Sequence, residues 1–493
     1  MLEPTTAVYH LSSAKYPAFP PFHPGASYPE YAWQVLGETN LIYEGVRNLF
    51  RLLGLDVANY GTPTWNPLGE IIKPGDKVVL KPNYLGQSHK HRPNEWEQVI
   101  THGSVVRAVV DYVLIALEGR GEVWIADGPQ LDADWDKIIS RTGVRGVCEF
   151  YAEVSKVPVR LLDLRDTFID CRGDVAFGWI PLPGDPAGKT EVNLAQNSRF
   201  VDHPGAGRYF GSDYDQAETN YHHSEGRHEY RISRTVATAD VIINVPKMKT
   251  HKKVGATLCL KNLVGINTGR NWLPHHIDGD PSNGGDQFPA ATLKNQSERW
   301  GIRRFQQLTL LYPRLFAPLF RVAKKIAMPI WGKTEEVIRN GNWYGNDTCW
   351  RMVHDINRVL LYTDGHTFPL ARPRRYFAVV DGVIAGDGNG PATPDRYEAG
   401  LLVAGFNPVA VDCVVTRLMS FDPMKLAMLR EAFEPSDLPL APFAYSDITI
   451  HSNKEEWKGR LVDLKQNVCY HFRPHFGWRG HIEYDILPET PRK

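Results

Sequence analysis

The stretch "ADVIINVPKMKTH", residues 239–251, decides the fold class. Its first half is rich enough in apolar and β-branched side chains to predict a strand buried on both faces, as in a parallel sheet. A proline ends that strand, and Lys247, Lys249 and His251 follow at alternate positions, so an extended chain would place them on one face. Cations would then collect beyond the carboxyl end of a strand, where open α/β sheets bind ligands.

Strand and helix patterns alternate on both sides of this stretch. Residues 77–81 predict a buried strand, 101–121 a helix capped by Thr101 or Ser104, and 122–129 a second strand. This order is that of a βαβ unit. Further strands are predicted at 158–164, 375–382 and 401–405, and further helices at 40–55, near 135–150 and at 407–421. We therefore expect an α/β fold with a mostly parallel sheet flanked by helices and long loop and helical insertions.

Five segments are expected along the chain. They are an N-terminal arm and helix (1–74), the first part of the α/β body (75–265), an insertion with a basic apolar helix (266–372), the second part of the body (373–425) and a C-terminal extension (426–493).

Composition excludes several classes of protein. Lys and Arg together number 56, as do Asp and Glu, so there is no basic field of the kind that indicates nucleic-acid binding. The six cysteines are far apart and form no C-x-x-C pair, so no iron–sulfur cluster is expected. With no signal peptide and no long apolar run, the sequence predicts a cytoplasmic protein.

Four loops with polar residues follow predicted strands, at 81–86, 127–129, 246–251 and 381–391. The carboxyl ends of parallel strands meet at one edge of a sheet, so these loops predict one shared site. The expected substrate-binding residues are Lys81, Asn83, Asp127, Lys247, Lys249 and Asn262, and the expected catalytic residues are His102, His251, Lys261 and Asp381.

The residue types suit the chemistry of anions. Residues 244–265 contain five lysines and one histidine among apolar residues and glycines, which favours an anion site, although a solvated lysine face is the common alternative. Imidazole transfers protons near neutral pH, and a lysine beside other cations can act as a base or nucleophile.

Possible metal ligands lie in two places. His275 and His276 are adjacent, and Asp387 and Asn389 supply oxygen atoms in the sequence GDGNGP, where a hard cation such as magnesium is the chemical match. A plain tight turn is the alternative interpretation of that glycine-rich loop.

Residues 305–331 are apolar and basic and contain no acidic residue. Such a helix would suit a membrane surface. The alternative is a core or lid helix broken by its three prolines, Pro313, Pro318 and Pro329.

Taken together, the motifs resemble the family called domain of unknown function 362. The stretches that carry the resemblance are VVLKPN (78–83), TH with its following helix (101–110), VWIADGP (123–129), ADVIINVPKMKTH (239–251), LCLKNLVGI (258–266), VVDGVIAGDGNGP (379–391) and NPVAVDCVVTRLMSFDP (407–423). Many relatives of this kind carry ferredoxin-like cysteine motifs, which this chain lacks.

A second, more distant similarity is to the lactate racemase family, whose members tether a nickel-pincer nucleotide to a lysine. The order of His251, nine intervening residues, Lys261 and then His275 or His276 is similar to the order in that family. This similarity implies that His102 and His251 exchange protons with the substrate, that Lys261 holds a cofactor and that the metal is nickel. The segment before the lysine reads ATLCL instead of the Ser-Gly-Gly turn of that family.

The sequence thus predicts an enzyme that binds a phosphorylated or carboxylated small molecule, with lysines neutralising its charge and histidines transferring protons. Isomerisation or racemisation is the reaction class that the distant similarity implies. The alternative is a non-catalytic protein that binds a phosphate-bearing or lipid-linked ligand and touches a membrane through residues 305–331.

Overall fold

The computed structural model describes residues 3–31, 33, 35–172, 175–332 and 336–484. The side chains of residues 327–331, in the predicted basic apolar segment, lie outside the described part, as do residues 485–493 of the predicted C-terminal extension. The strands are β1 (Thr5–His10), β2 (Lys77–Pro82), β3 (Glu122–Asp127), β4 (Val159–Asp163), β5 (Thr167–Cys171), β6 (Ala176–Pro181), β7 (Lys189–Asn193), β8 (Tyr209–Phe210), β9 (Glu229–Ser233), β10 (Val241–Val245), β11 (Lys247–His251), β12 (Gly255–Thr257), β13 (His276–Ile277), β14 (Arg375–Asp387), β15 (Asp395–Gly405), β16 (Thr449–Ser452) and β17 (Gly459–Arg460). The helices are α1 (Leu41–Leu52), α2 (Gly103–Leu117), α3 (Trp135–Arg141), α4 (Val144–Val154), α5 (Gln216–His222), α6 (Arg234–Ala237), α7 (Cys259–Asn262), α8 (Leu293–Leu311), α9 (Pro313–Trp331), α10 (Cys349–Tyr362), α11 (Pro408–Leu418) and α12 (Ala427–Arg430).

One large sheet organises the described part of the chain. Its strand order is β17-β16-β1-β15-β14-β10-β2-β3-β4, and β11 and β12 join it beside β14. Strands β14, β10, β2, β3 and β4 are all parallel, whereas β15 runs antiparallel to β14 and β1 antiparallel to β15. The predicted α/β fold with a mostly parallel sheet is confirmed.

The sheet is buried on both faces, which explains why its central strands are continuously apolar. In β2, Val78 and Leu80 pack into the core layer that contains α1 and α2, while Val79 packs into the opposite layer with α10 and α11. In β10, Ile243 is fully buried on the first of these faces. Burying one such side chain contributes about 1.5–3 kcal/mol, so truncating Ile243 to Ala would cost roughly 2–5 kcal/mol.

The helix that follows β2 begins differently from the prediction. His102 caps α2, its side chain accepting a hydrogen bond from the Ser104 N–H. The Thr101 hydroxyl instead accepts the Asn83 N–H at 2.9 Å and donates to the Val245 carbonyl in β10 at 2.8 Å. At the start of α11, the Asn407 side chain is the cap and accepts two backbone N–H groups.

The predicted basic apolar segment at 305–331 contains the end of α8 and all of α9. Pro313 is the first residue of α9, a position where its missing N–H costs nothing. Within the described residues, no helix has both the length and the apolar character needed to cross a membrane.

Candidate functional site

Side chains from four sheet strands meet at the carboxyl edge of the parallel strands. Lys81 in β2 lies beside Asn244 in β10, and Lys247 in β11 lies beside Asp381 in β14. Strand β11 is extended and, like β10, runs parallel to β14, with a register shift between Lys247 and Lys249. The structure therefore brings the predicted loops together at one edge of the sheet.

Lys247 and Asp381 form a fully buried ion pair at 3.0 Å. The Tyr16 hydroxyl joins it, accepting from Lys247 Nζ at 2.7 Å and donating to Asp381 Oδ1 at 2.5 Å. The His102 N–H donates to Asp381 Oδ2 at 2.9 Å, and the His102 ring stacks between Tyr16 and Trp96. Burial first, and then the charge of Lys247, lower the pKa of His102 well below its usual range. The ring is therefore neutral at pH 7.

A second buried ion pair joins Lys81 and Asp127 at 2.6 Å. The other carboxylate oxygen of Asp127 accepts the Tyr84 N–H at 2.6 Å, which fixes the side chain. Gly265 passes so close that a Cβ there would lie 2.2 Å from Asp127 Oδ1. Only glycine therefore fits where this loop crosses the ion pair.

Asn262 connects the lysine-bearing helix α7 to two strands. Its amide donates to the Lys81 carbonyl at 3.0 Å and to Asn244 Oδ1 at 2.7 Å, and its oxygen accepts from Asn83 at 2.7 Å. Asn83 Oδ1 in turn accepts from Lys249 Nζ at 2.8 Å. Predicted as a substrate ligand, Asn262 is thus engaged in holding α7 against β2 and β10.

Lys261 differs from the neighbouring lysines in the interactions of its ammonium group. It is partly exposed, and within the described chain it forms neither a hydrogen bond nor an ion pair. Asp412 of α11 accepts the N–H groups of Cys259 and Leu260 at 2.7 and 2.9 Å, which fixes the start of α7 and so the position of Lys261. Burial, and to a smaller extent the nearby Arg270 charge, lower the pKa of Lys261.

His251 and His275 lie close enough to Lys261 to be affected by its charge. Burial and then Lys261 lower the pKa of His251 well below its usual range. Burial, Lys253 and then Lys261 do the same to the pKa of His275. Both rings are therefore neutral at pH 7.

The two neutral rings carry their protons on different nitrogens. His251 Nδ1 accepts the Lys253 N–H at 3.0 Å, so its own proton is on Nε2. His275 Nδ1 faces the Leu273 carbonyl at 2.8 Å and must donate to it, so its Nε2 carries a lone pair. Beside Lys261 there is thus one imidazole donor and one imidazole acceptor.

Cationic side chains are concentrated at this edge. Six of them are Lys81, Lys247, Lys249, Lys253, Lys261 and Arg270. Among the described residues, only Lys81 and Lys247 of this set form an ion pair. Burial lowers the pKa of all six, that of Lys253 to about 8. An anion bound here would relieve a repulsion already present in the free protein.

The predicted metal ligands do not form one set. Asp387 is paired with Arg473 at 2.7 Å, and Asn389 Oδ1 accepts the Phe476 N–H at 3.2 Å. His276 stacks on Phe210, and its Nδ1 lies 3.4 Å from Lys253 Nζ. Across the residues that the structure describes, no three His, Cys, Asp or Glu side chains are grouped so as to hold a metal ion. The metal site stays a prediction.

A cleft of about 230 Å³ lies away from the strand ends, between the β8–α5 region and α8. Phe210, Asn220, Asp278 and Arg303 are among its lining residues. Phe210 also stacks on His276, so one residue that lines the cleft contacts a predicted metal ligand.

Sequence reasoning missed three residues that shape the site. Tyr16 comes from the predicted N-terminal arm, which also supplies β1 to the sheet. Arg270 donates to the Gly128 and Pro129 carbonyls, and Asp412 holds α7. A signal existed for Asp412, a carboxylate placed inside a predicted apolar helix, but none existed for Tyr16.

A family model described as "Domain of unknown function (DUF362)" matches residues 78–172 and 205–417. The chain belongs to this family. The two matched stretches contain every predicted site residue from Lys81 to Asn389. The resemblance predicted from the motifs is confirmed, and the similarity to the lactate racemase family stays a prediction.

Two individual proteins are also similar to this chain. A thylakoid-associated protein of Synechocystis sp. is 24% identical over 357 residues, which cover 72% of this chain and 67% of the relative. The crystal structure of a protein from Thermotoga maritima matches with a TM-score of 0.28 and 10% identity, over 72% of this chain and 53% of that one. The match therefore spans only about half the length of the Thermotoga protein.

Proposed function

We propose that this protein is an enzyme that binds a phosphorylated or carboxylated small molecule at the strand-end edge, with Lys261 as its central anion contact. The observation that carries the proposal is that the Lys261 ammonium forms neither a hydrogen bond nor an ion pair with the described residues. Four of the six cations in its cluster, Lys261 included, have no ion pair among those residues. Two of these four, Lys249 and Lys253, are buried, and buried cations are normally paired, so the cluster around Lys261 supports a missing anionic partner.

The second part of the proposal is proton transfer by the two histidines. His251 would donate through Nε2, and His275 would accept through Nε2. Enzymes that move a proton from a carbon next to a carboxylate need a base, an acid and a cation that stabilises the developing negative charge. Lys261 and Arg270 would supply that cation, which makes isomerisation or racemisation of a carboxylate the reaction that we infer.

Titration calorimetry with phosphate, pyrophosphate and malonate tests the binding step. We expect Lys261→Met to weaken binding of the preferred anion by roughly 10–100-fold, the worth of one charged hydrogen bond. The control is Lys465→Met, which removes an exposed lysine far from the strand ends along the chain. Equal affinities for wild type and Lys261→Met would refute the role of Lys261.

Exchange of substrate hydrogen for deuterium, followed by NMR in D₂O with a panel of 2-hydroxy and 2-amino acids, tests the proton transfer. His275→Gln removes the proposed base and is expected to abolish exchange while anion affinity falls less than threefold. His251→Gln removes the proposed acid and is expected to abolish racemisation of the substrate. Intact mass and elemental analysis of the purified protein test the predicted cofactor. An adduct on Lys261 together with nickel would support the racemase-like version, and a bare mass would end it.

The second candidate function is a non-catalytic binding protein for a phosphate-bearing or lipid-linked ligand at a membrane. What favours it is the name of the Synechocystis relative, which is thylakoid-associated, since thylakoids are membranes. Wild-type protein that binds an anion in calorimetry but exchanges no substrate hydrogen in D₂O would support this candidate over the enzyme.

A further inference from the structure

Helix α9 exposes a stripe of large apolar side chains. Leu315, Leu319, Val322 and Ile326 are 62%, 53%, 56% and 69% exposed. At 3.6 residues per turn, the spacing of these four positions keeps them within an arc of about 60° on one side of the helix. We call these four residues the α9 stripe. A contiguous exposed apolar face on an ordered helix indicates a binding surface.

The exposure of the stripe does not arise because α9 is detached from the protein. Ala317 on the opposite side is buried, and Phe320 stacks on Phe305 of α8 with ring centroids 5.1 Å apart. Helix α9 also packs against β6. Its inner apolar face is therefore already used, and the α9 stripe is a second apolar face with no partner among the described residues.

Basic residues flank the α9 stripe. Arg314, Arg321 and Lys325 are exposed and lie along one side of it, and no Asp or Glu occurs anywhere in residues 299–331. In the described part of the chain, none of these three cations forms an ion pair. The surface thus combines apolar side chains with uncompensated positive charge.

We propose that the α9 stripe and its flanking cations bind the surface of a membrane that contains anionic lipid. Apolar side chains would enter the boundary between headgroups and acyl chains while the basic side chains meet lipid phosphates. A second copy of this chain is the weaker occupant, because a two-fold contact would place Arg321 against the same basic surface of its partner. The helix would lie on the membrane, in keeping with the lack of a membrane-crossing helix in the described residues.

Flotation with lipid vesicles tests the proposal with the full-length protein. Wild type is expected to float with phosphatidylcholine vesicles that contain about one-third phosphatidylglycerol, and much less with phosphatidylcholine alone. Leu319→Ser with Val322→Ser should reduce partitioning by roughly 10-fold or more, through lost apolar burial. Replacing Arg314, Arg321 and Lys325 by Gln should reduce it by roughly 100-fold at low salt.

The control variant is Val57→Ser, which removes an apolar side chain that is 62% exposed outside α9. It should float like wild type. Wild type that stays with the soluble fraction on anionic vesicles would overturn the proposal, as would a dimer that Leu319→Ser dissociates while vesicle binding is absent. The α9 variants should leave anion binding at Lys261 intact, so failure of this proposal is distinguishable from failure of the proposed enzyme function.

Discussion

Replacing Asp381 with Asn should destabilise the protein strongly, because the substitution strands a buried cation. Lys247 and Asp381 are both fully buried and 3.0 Å apart. At an effective dielectric constant of about 20, two unit charges at that distance attract by roughly 5 kcal/mol. Removing one partner of a buried pair costs about 3–5 kcal/mol, because the other charge is left without compensation. We expect a loss of that size for Asp381→Asn.

Urea unfolding followed by tryptophan fluorescence at pH 7 measures this loss as a shift of the transition midpoint at constant slope. Adding Lys247→Met to Asp381→Asn should recover about 1–3 kcal/mol, since the double variant no longer buries a lone charge. The control is the surface pair of Lys458 and Glu455, whose removal should change stability by less than about 1 kcal/mol.

The lone Lys247 also predicts a pH dependence. Burial lowers the pKa of Lys247 even in the wild type, and loss of Asp381 removes the opposing charge. Between this lowered pKa and the value in the unfolded chain, the unfolded state binds more protons, so the stability of Asp381→Asn must rise with pH in that window. An Asp381→Asn protein within about 1 kcal/mol of wild type at pH 7, with no such rise, would refute the reasoning.

Three further predictions follow from the same site. Burial lowers the pKa of Lys253 from 10.5 to about 8, so between these values the folded state binds fewer protons than the unfolded state, and the destabilisation caused by the buried charge is complete below pH 8. Lys253→Met should therefore raise the urea midpoint at pH 7 by an amount equivalent to roughly 1–3 kcal/mol. An unchanged or lower midpoint would contradict this prediction. Asp412→Ala leaves the N–H groups of Cys259 and Leu260 without an acceptor, so it should lower the free energy of unfolding in urea by roughly 2–4 kcal/mol and weaken anion binding. An unchanged urea midpoint would show that other contacts fix the position of α7. Anion binding should be accompanied by proton uptake near pH 8 and above, because a bound negative charge raises the lowered pKa values of Lys253 and Lys261. Calorimetry in buffers of different ionisation enthalpy measures this uptake. An affinity that stays constant from pH 7 to pH 9 would count against the cationic site.

Local pattern was sufficient for much of the fold. The apolar runs at β2, β3, β10 and β14 predicted parallel strands, and polar residues at their ends predicted a shared edge. Lys247 and Asp381 meet there because the strand ends of a parallel sheet lie side by side. Spacing could not predict the contacts of each residue. Asn262 hydrogen-bonds to the Lys81 carbonyl and Asp387 forms an ion pair with Arg473, and both partners lie far away in the chain.

Long-range contacts decided the rest of the site. Tyr16 bonds to Asp381, a residue 365 positions later, and no periodic pattern links the two. The proton-bearing nitrogens of His251 and His275 depend on which backbone group faces each Nδ1, and this depends on how loops fold back. Likewise, the sequence shows that α9 is apolar and basic, but only packing against α8 and β6 decides which apolar face stays exposed.

The sequence by itself therefore determined the parallel strands of the sheet, their common edge and the cationic residues at that edge, because these follow from side-chain periodicity and strand direction. Tertiary structure decided which cations are neutralised and which, like Lys261, are left over. The physical reason is that ion pairing and burial depend on atoms within a few ångströms, whatever their separation along the chain.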